Sequence, residues 1–151
     1  MEEVIIGTED INSEEAEELI SELSGELKKI TGNDGRGSFK KDDMDNKRSV
    51  FVIARDLRGN ALGCGALRYY SDEVAEIKRM YVKKKSMGVG SRLLQFLEGQ
   101  AKEYNYSKIV METRVVNKGA VNFYKRNGYK VTENYGKYEG RTDAICFCKD
   151  I

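Results

Sequence analysis

The first apolar positions of the chain change from a strand pattern to a helical one. Val4 to Thr8 is a short apolar run that predicts a strand, and Asn12 with Glu15 three residues later is the capping-box pattern of a helix start. Apolar residues then recur at steps of three and four, with charged residues between them. This spacing predicts an amphipathic helix. Its buried stripe would hold Ala16, Leu19, Ile20, Leu23, Leu27 and Ile30.

The following segment, residues 31–48, loses this periodicity. Its sequence TGNDGRGSFKKDDMDNKR is polar and contains glycine, and only Phe39 and Met44 offer apolar anchors. We expect a surface loop with one helical turn. Loops of this length often bind ligands, but a solvated connector fits the composition equally well.

Strand-forming residues dominate the next stretch. Ser49 to Asp56 and Ala61 to Tyr70 are joined by Arg58-Gly59-Asn60, which supplies a turn, so an antiparallel hairpin is predicted. A third strand is expected at Val74 to Val82. The hairpin pattern places these strands side by side in one sheet.

The second half of the chain alternates helix and strand. A helix is predicted from about Gly88 to Tyr104, followed by a strand at Lys108 to Arg114, and strand, helix and strand in that order favour a parallel crossover. Asn117 can cap another helix, which Asn127-Gly128 would end. The final strands are expected at Tyr129 to Thr132 and Thr142 to Cys148.

Hairpins first and a crossover afterwards indicate a layered α+β or α/β fold rather than a sandwich or a helical bundle. The chain contains no internal repeat and no linker-like stretch, and its 151 residues have the usual size of one domain. We therefore expect a single domain over residues 1–151.

Charge and hydropathy limit the classes of partner. The 26 Lys and Arg nearly cancel the 25 Asp and Glu, which argues against nucleic acid. No apolar run approaches the roughly 20 residues that cross a bilayer, and the acidic start MEEVIIGTED lacks the features of a signal peptide. The expectation is a cytoplasmic protein with neither a nucleic acid nor a membrane partner.

Histidine is absent from the chain. This excludes Ser-His and Cys-His nucleophilic pairs and imidazole metal sites, so acid and base work falls to carboxylates, tyrosines, lysines or thiols. The three cysteines are expected to be reduced and packed, and none is assigned as a nucleophile. We expect no metal.

The stretch Ala75 to Ala101 has the order of a phosphate cradle: a strand, basic residues, a Gly-x-Gly turn and an amphipathic helix. Free backbone N–H groups and partial positive charge at a helix start attract phosphate. A dinucleotide fingerprint would need a small residue at Leu93, and the Gly-Lys-Ser/Thr ending of a Walker A loop is missing. Alone, Gly88-Val89-Gly90 also fits a turn that uses glycine only for packing.

Three segments match one family pattern in order and spacing. They are the strand AEIKRMYV, the loop KSMGVG at Lys85 to Gly90, and NKGAVNFYKRNGY. They resemble, respectively, the fourth strand, the Gln/Arg-x-x-Gly-x-Gly/Ala loop and the following Asn, Ala, Tyr, Gly-aromatic segment of the GNAT superfamily of acyl-CoA-dependent N-acyltransferases. The likeness runs from about Ser49 to Gly128. Lys85 departs from the usual Gln or Arg, keeping positive charge but losing the planar fork of Arg.

The resemblance implies a three-layer α+β domain: a central mixed, mostly antiparallel sheet, a parallel split between its fourth and fifth strands, and flanking helices. It implies acetyl-CoA as co-substrate, with the pantetheine arm lying like an added strand along Met80 to Val82. Lys85 to Arg92 would hold the pyrophosphate chiefly through backbone N–H groups, although Lys83 to Lys85 also fit a solvated basic turn. The implied cofactor-binding residues are Met80, Tyr81, Val82, Lys85, Met87, Gly88, Val89, Gly90, Ser91, Arg92, Asn117 and Tyr124.

The resemblance also suggests catalytic roles. Glu76 matches a glutamate that some family members use as the base, although a structural carboxylate with a water relay is the alternative. Tyr124, seven residues after Asn117, matches the general-acid tyrosine. A backbone N–H of Met80 or Tyr81 would stabilise the oxyanion.

The acceptor is the least specified part of the site. The segments Asn33 to Phe39 and Tyr129 to Tyr138 resemble the variable segments that line acceptor pockets in the family. Arg68, Arg79 or Arg141 could pair with an acceptor carboxylate, although each alone also fits a structural charge.

The resemblance therefore implies an N-acetyltransferase that acts on the primary amine of a small or amino-acid-like molecule by direct attack. A peptide or protein amine acceptor and a catalytically silent CoA-binding regulatory module are the alternatives, and a homodimer is left open.

Overall fold

The computed structural model describes residues 3–83 and 88–151, in which strands and helices follow the predicted order. Short 3-10 turns at Arg36–Ser38, Lys41–Met44 and Gly136–Tyr138 join the longer elements. The helices are α1 (Glu14–Thr31), α2 (Val89–Glu103) and α3 (Lys118–Arg126). The strands are β1 (Ile5–Thr8), β2 (Val50–Arg55), β3 (Ala61–Tyr69), β4 (Val74–Val82), β5 (Lys108–Arg114), β6 (Lys130–Thr132) and β7 (Ala144–Asp150).

The strands form one seven-stranded mixed sheet in the order β1-β2-β3-β4-β5-β7-β6. All neighbours are antiparallel except β4 and β5, which run parallel and pair only from Val74–Glu76 to Lys108–Val110. Beyond Glu76 the two strands separate toward their carboxyl ends. This arrangement confirms the α+β fold class, with its mostly antiparallel sheet and parallel split.

Helices cover both faces of the sheet. Helix α1 packs through Leu19 on the face that carries Ile53 and Cys64, while α2 packs through Leu97 on the face that carries Leu67. Helix α3 joins the α2 side through its buried Tyr124. Because α1 and α3 approach the divergence of β4 and β5 from opposite sides, the split becomes a passage between the layers.

Several predicted boundaries are confirmed, and others move. Asn117 caps α3, and Gly128 takes a left-handed φ of 88° just after that helix, as predicted. The cap of α1 is Ser13, whose Oγ accepts from the Ala16 N–H at 3.1 Å. The predicted cap Asn12 is wrong because its own N–H is bound by Asp10 Oδ1 in a preceding turn.

The last strand also starts later than predicted, at Ala144 instead of Thr142. The guanidinium of Arg141 binds both carboxylate oxygens of Asp143, at 3.1 and 3.0 Å, and this pair closes a turn ahead of β7. The strand runs on to Asp150 because it pairs with the whole of β5.

An extra residue in β4 changes the direction of its side chains. Arg79 and Met80 together lie opposite the single residue Gly65 of β3, and Arg79 has a φ of 56°. A Cβ on Gly65 would lie 2.7 Å from Met80 Sδ and 2.9 Å from Leu97 Cδ1, so the glycine makes room for the bulge. Bulges re-aim side chains. Here the bulge brings Arg79 beside Lys78 in the wall of one cavity.

Candidate active site

Two cavities open where β4 and β5 separate. The glycine cavity, of about 410 Å³, is lined by Met80–Val82, Gly88, Gly90 and residues of α1 and α3. The cationic cavity, of about 360 Å³, is lined by the end of α1, loop residues 33–39, the middle of β4, the end of β5 and residues 137–141. They share a boundary, so groups bound in each would meet there. The shared lining residues are Leu23, Leu27, Met80, Asn117, Ala120 and Tyr124.

The start of α2 places backbone N–H donors at the glycine cavity. Gly88 is the residue before the helix, and the first bond of the helical ladder runs from Arg92 N–H to Gly88 C=O at 3.2 Å. The N–H groups of Val89, Gly90 and Ser91 therefore have no partner inside the helix. Together with the positive end of the helix dipole, they form the type of site that binds phosphate.

Glycine is favoured at the two positions of this turn for different physical reasons. Gly88 adopts a left-handed φ of 67°, which side chains disfavour. Gly90 is helical, but a Cβ there would lie 3.1 Å from two ring carbons of Phe123. The second glycine therefore lets α2 pack closely on α3 as well as opening the cavity wall.

Most of the predicted cofactor residues border the glycine cavity. Val89 is instead buried in the core, and the Arg92 guanidinium reaches the Val4 carbonyl at 3.5 Å and lines neither cavity. Lys85 and Met87 lie outside the described residues. The predicted residues that line the cavity are Met80, Tyr81, Val82, Gly88, Gly90, Ser91, Asn117 and Tyr124.

The glycine cavity also contains residues that sequence analysis placed elsewhere or overlooked. Leu27 and Ile30, predicted as part of the buried stripe of α1, line its wall, and Ile30 is 41% exposed. Arg126, near the end of α3, adds a cation that the sequence analysis missed. Its only sequence signal is its place in the last turn of a helix whose cap was predicted.

Tyr124 and Asn117 stand at the boundary between the cavities. Asn117 Oδ1 accepts from the Ala120 N–H at 3.3 Å and so fixes the start of α3. The Tyr124 ring packs edge-on against Tyr129 and tilted against Phe147. Burial, followed by the charge of Glu112, raises the pKa of Tyr124 above its ordinary value. The phenol therefore remains protonated at neutral pH.

Glu76 is held in a buried network rather than at a cavity wall. It is 1% exposed, accepts from Arg68 Nε at 2.7 Å and from the Tyr135 hydroxyl, and lies 3.8 Å from Lys78 Nζ. Arg68 also donates from Nη1 to Asp43 Oδ2 at 2.6 Å. Glu76 lines neither of the two cavities, and its predicted base role stays a prediction.

Glu112, on β5, is the carboxylate that lines the cationic cavity. Its side chain is 9% exposed, and its Oε2 has no hydrogen-bond partner among the described residues, although Arg114 Nε lies 3.7 Å away. Burial raises the pKa of Glu112, opposed by Lys78 and Arg114. Sequence analysis missed it. The available signal was a carboxylate near the carboxyl end of a parallel strand, an edge where ligands often bind.

Within the described ranges, no helix has the length and apolar character needed to cross a membrane. In the same residues, no cluster of three or more histidine, cysteine, aspartate or glutamate side chains is suited to hold a metal ion. All three cysteines are free thiols.

Comparison with known proteins identifies the family. The model of the acetyltransferase (GNAT) family matches residues 13–129. This chain belongs to the GNAT family. It is 38% identical over 108 residues to "Probable N-acetyltransferase 14" of Xenopus tropicalis, covering 70% of this chain and 52% of that protein. The chain thus spans about half the length of the curated relatives it first matches.

Solved GNAT structures share the fold at low identity. An acetyltransferase of the GNAT family from Staphylococcus aureus Mu50 gives a TM-score of 0.76 at 18% identity, over 98% of this chain and 99% of that one. PaiA N-acetyltransferase from Thermoplasma acidophilum, solved with coenzyme A, gives 0.74 at 19% identity over 99% of both chains. The family resemblance predicted from three motifs is therefore confirmed.

Proposed function

We propose that this GNAT protein is an acetyl-CoA-dependent N-acetyltransferase that acts on the primary amine of a small molecule by direct attack in a ternary complex. The observation that carries the proposal is the shared wall of the two cavities, at Met80, Asn117 and Tyr124. A donor in one cavity and an amine in the other would meet there. Holding two reactants in contact removes much of the entropic barrier to their reaction.

The glycine cavity fits the phosphorylated donor. The N–H groups of Gly90 and Ser91, which have no partner inside the helix, suit the pyrophosphate, while Leu27 and Ile30 offer apolar contact in the same cavity. The open edge of β4 at Met80 to Val82 suits the amide-bearing pantetheine arm, since β5 no longer pairs there. These contacts leave the thioester at the boundary between the cavities.

The amine needs a base, because an alkylammonium group has a pKa of about 10.4 and cannot attack while protonated. We assign this role to Glu112, which lines the acceptor side and whose Oε2 has no hydrogen-bond partner among the described residues. Burial raises the pKa of Glu112, which makes it a stronger proton acceptor. Glu76, the base suggested by the sequence, is the runner-up and is better placed to orient Lys78 and Tyr135.

Two groups serve the second half of the reaction. The backbone N–H of Met80 or Tyr81 donates to the thioester oxygen as negative charge develops on it. Tyr124 donates its hydroxyl hydrogen toward the leaving sulfur, because burial keeps it protonated. The second proton of the nitrogen restores the Tyr124 hydroxyl, and the base releases its proton to solvent, so the products are an N-acetyl amine, the CoA thiol and one proton.

A small acceptor is favoured over a peptide or protein amine by the size of the site. The cationic cavity holds about 360 Å³ and is closed on one side by Tyr138, which is 2% exposed, and on another by the loop at Phe39. A volume of this order suits a small molecule.

The test is thioester loss from acetyl-CoA across a panel of small amines, with N-acetyl product identified by mass spectrometry and acetyl-CoA affinity measured separately. We expect stoichiometric product and free CoA with at least one amine. Tight CoA binding without transfer to any small or peptidyl amine would contradict the proposal and favour a silent CoA-binding module.

A further inference from the structure

Arg79 is a buried cation in the wall of the cationic cavity. It is 8% exposed and lies in the β4 bulge with a left-handed φ of 56°. Such a conformation is costly for a residue with a side chain and is maintained only where the surroundings require it. Arg79 lines the cationic cavity and not the glycine cavity. An anion that it binds would therefore belong to the acceptor and not to the cofactor pyrophosphate.

The guanidinium of Arg79 has unused binding capacity. Its Nε has no hydrogen-bond partner among the described residues, and one terminal nitrogen reaches the Asp34 carbonyl only at 3.5 Å. The Phe39 ring lies 5.5 Å from its central carbon. Among the side chains that the structure describes, it forms no ion pair with a carboxylate. A guanidinium cannot lose its charge in a protein, so its burial calls for an anion.

The other cations of this cavity are engaged. Arg141 binds Asp143 in a bidentate contact, and Arg114 shares the same carboxylate. Lys78 donates to the Tyr138 hydroxyl at 2.6 Å. Lys137 is exposed and donates to the Gly37 carbonyl at 3.4 Å.

The three arginines predicted as possible partners of an acceptor carboxylate thus differ in their contacts and burial. Arg68 is already ion-paired with Glu76 and Asp43, and Arg141 with Asp143. Only Arg79 combines burial, a place in the cavity wall and a free donor, which points to an incoming anion.

We infer that the acceptor is a zwitterionic small amine whose carboxylate is bound by Arg79 while its amino group faces Glu112. The inference rests on the acetyltransferase activity proposed above. It assigns the two charges of the acceptor to the two separated strands, since Arg79 lies on β4 and Glu112 on β5. A planar guanidinium matches a carboxylate in a two-point contact that fixes orientation. An amino acid or a short ω-amino acid has this chemistry.

The first experiment uses the wild-type protein and matched acceptors. Amino acids are compared with their amides and decarboxylated amines, at saturating acetyl-CoA. We expect kcat/KM for the carboxylate-bearing member to be higher by about 10- to 100-fold, the range for a charge-assisted contact, with most of the difference in KM. β-Alanine against O-phosphoethanolamine separates carboxylate from phosphate, and preference for the phosphate would overturn the assignment.

The second experiment uses charge-matched variants whose folding is checked by thermal unfolding. Arg79→Met should reduce the carboxylate preference to near one, and Arg79→Lys should keep part of it. Arg58→Met removes the same charge from the exposed β2–β3 turn and should keep the full preference. Loss of preference in Arg141→Met but not in Arg79→Met would overturn the inference.

The two proposals fail differently. Equal kcat/KM for amino acids and their amides in the wild-type protein overturns this inference and leaves the acetyltransferase proposal standing. Acetyl-CoA binding without transfer to any amine overturns the acetyltransferase proposal and this inference with it.

Discussion

The two cavities are built from different materials. The wall of the glycine cavity combines the Gly88 turn and the open end of β4 with side chains from α1 and from one side of α3. The wall of the cationic cavity holds charged side chains from β4, β5 and residues 137–141, together with uncharged residues from α1 and loop 33–39. A site made of main-chain donors leaves a local motif in the sequence. A site made of converging side chains depends on the tertiary fold.

The same contrast predicts how each half tolerates substitution. Substitutions around backbone donors affect cofactor binding little unless they alter the path of the chain. Binding in the glycine cavity should therefore be most sensitive to substitution of its glycines. The cationic cavity is sensitive at individual charges. Substitutions that line only the glycine cavity should therefore change mainly the affinity for acetyl-CoA. Substitutions that line only the cationic cavity should change mainly kcat/KM for the amine.

The largest effect is expected for Glu112→Gln. Removing the base should lower kcat/KM for the amine by about 10²- to 10⁴-fold. Burial raises the pKa of Glu112 above its ordinary 4.5, and the base works only when deprotonated. Wild-type activity should therefore fall as the pH drops through this raised pKa, and the variant should lack that acidic limb. A pH–rate profile checks both, and wild-type kinetics in the variant would exclude Glu112 as the base.

Tyr124→Phe should lower kcat by about 10²-fold, because the leaving sulfur loses its hydroxyl donor. Acetyl-CoA affinity should stay within a few-fold of wild type, since the ring still packs against Phe147. Steady-state rates with equilibrium binding of acetyl-CoA provide the measurement. An unchanged kcat would remove Tyr124 from the acid role.

Gly90→Ala tests the cofactor half alone. The added Cβ lies 3.1 Å from the Phe123 ring, so α3 or the helix start must shift, and acetyl-CoA affinity should weaken by about tenfold. Gly99→Ala on the same helix is the control, because its Cβ meets no atom within 4 Å. Calorimetric titration gives both affinities, and equal weakening in the two variants would contradict this reading of Gly90.

Glu76→Gln should change stability more than chemistry. Arg68 would keep Asp43, but the charges of Arg68 and Lys78 would lose a buried partner, for a cost of about 1–3 kcal/mol in the free energy of unfolding. The acidic limb of the pH profile should remain. If the limb disappears here and persists in Glu112→Gln, the base role returns to Glu76.

Local sequence signals were sufficient for most of the fold and for the cofactor half. The strand Val74–Val82, the Asn117 cap and the Gly88 turn follow from propensities that act within a few residues. Helical periodicity also predicted the apolar face of α1, but the spacing alone does not show whether each apolar residue packs in the core or lines a cavity. Ile30 consequently lines a cavity instead of the core.

The acceptor half of the site could not be predicted from local sequence in the same way. The bulge that turns Arg79 depends on the missing side chain of Gly65, which lies on a different strand. The burial of Glu112 Oε2 without a hydrogen bond, and the engagement of Arg68 by Glu76 and Asp43, also depend on how separate segments pack together. These are consequences of packing, and no local pattern carries them.

In the proposed mechanism both cavities are filled together, and the acetyl group passes directly between their contents beside Tyr124. Initial rates measured over a matrix of acetyl-CoA and amine concentrations test this mechanism. We expect intersecting double-reciprocal lines, as for a ternary complex, with no acetylated protein recovered after acetyl-CoA alone. Parallel lines together with a covalent acetyl-enzyme would contradict it.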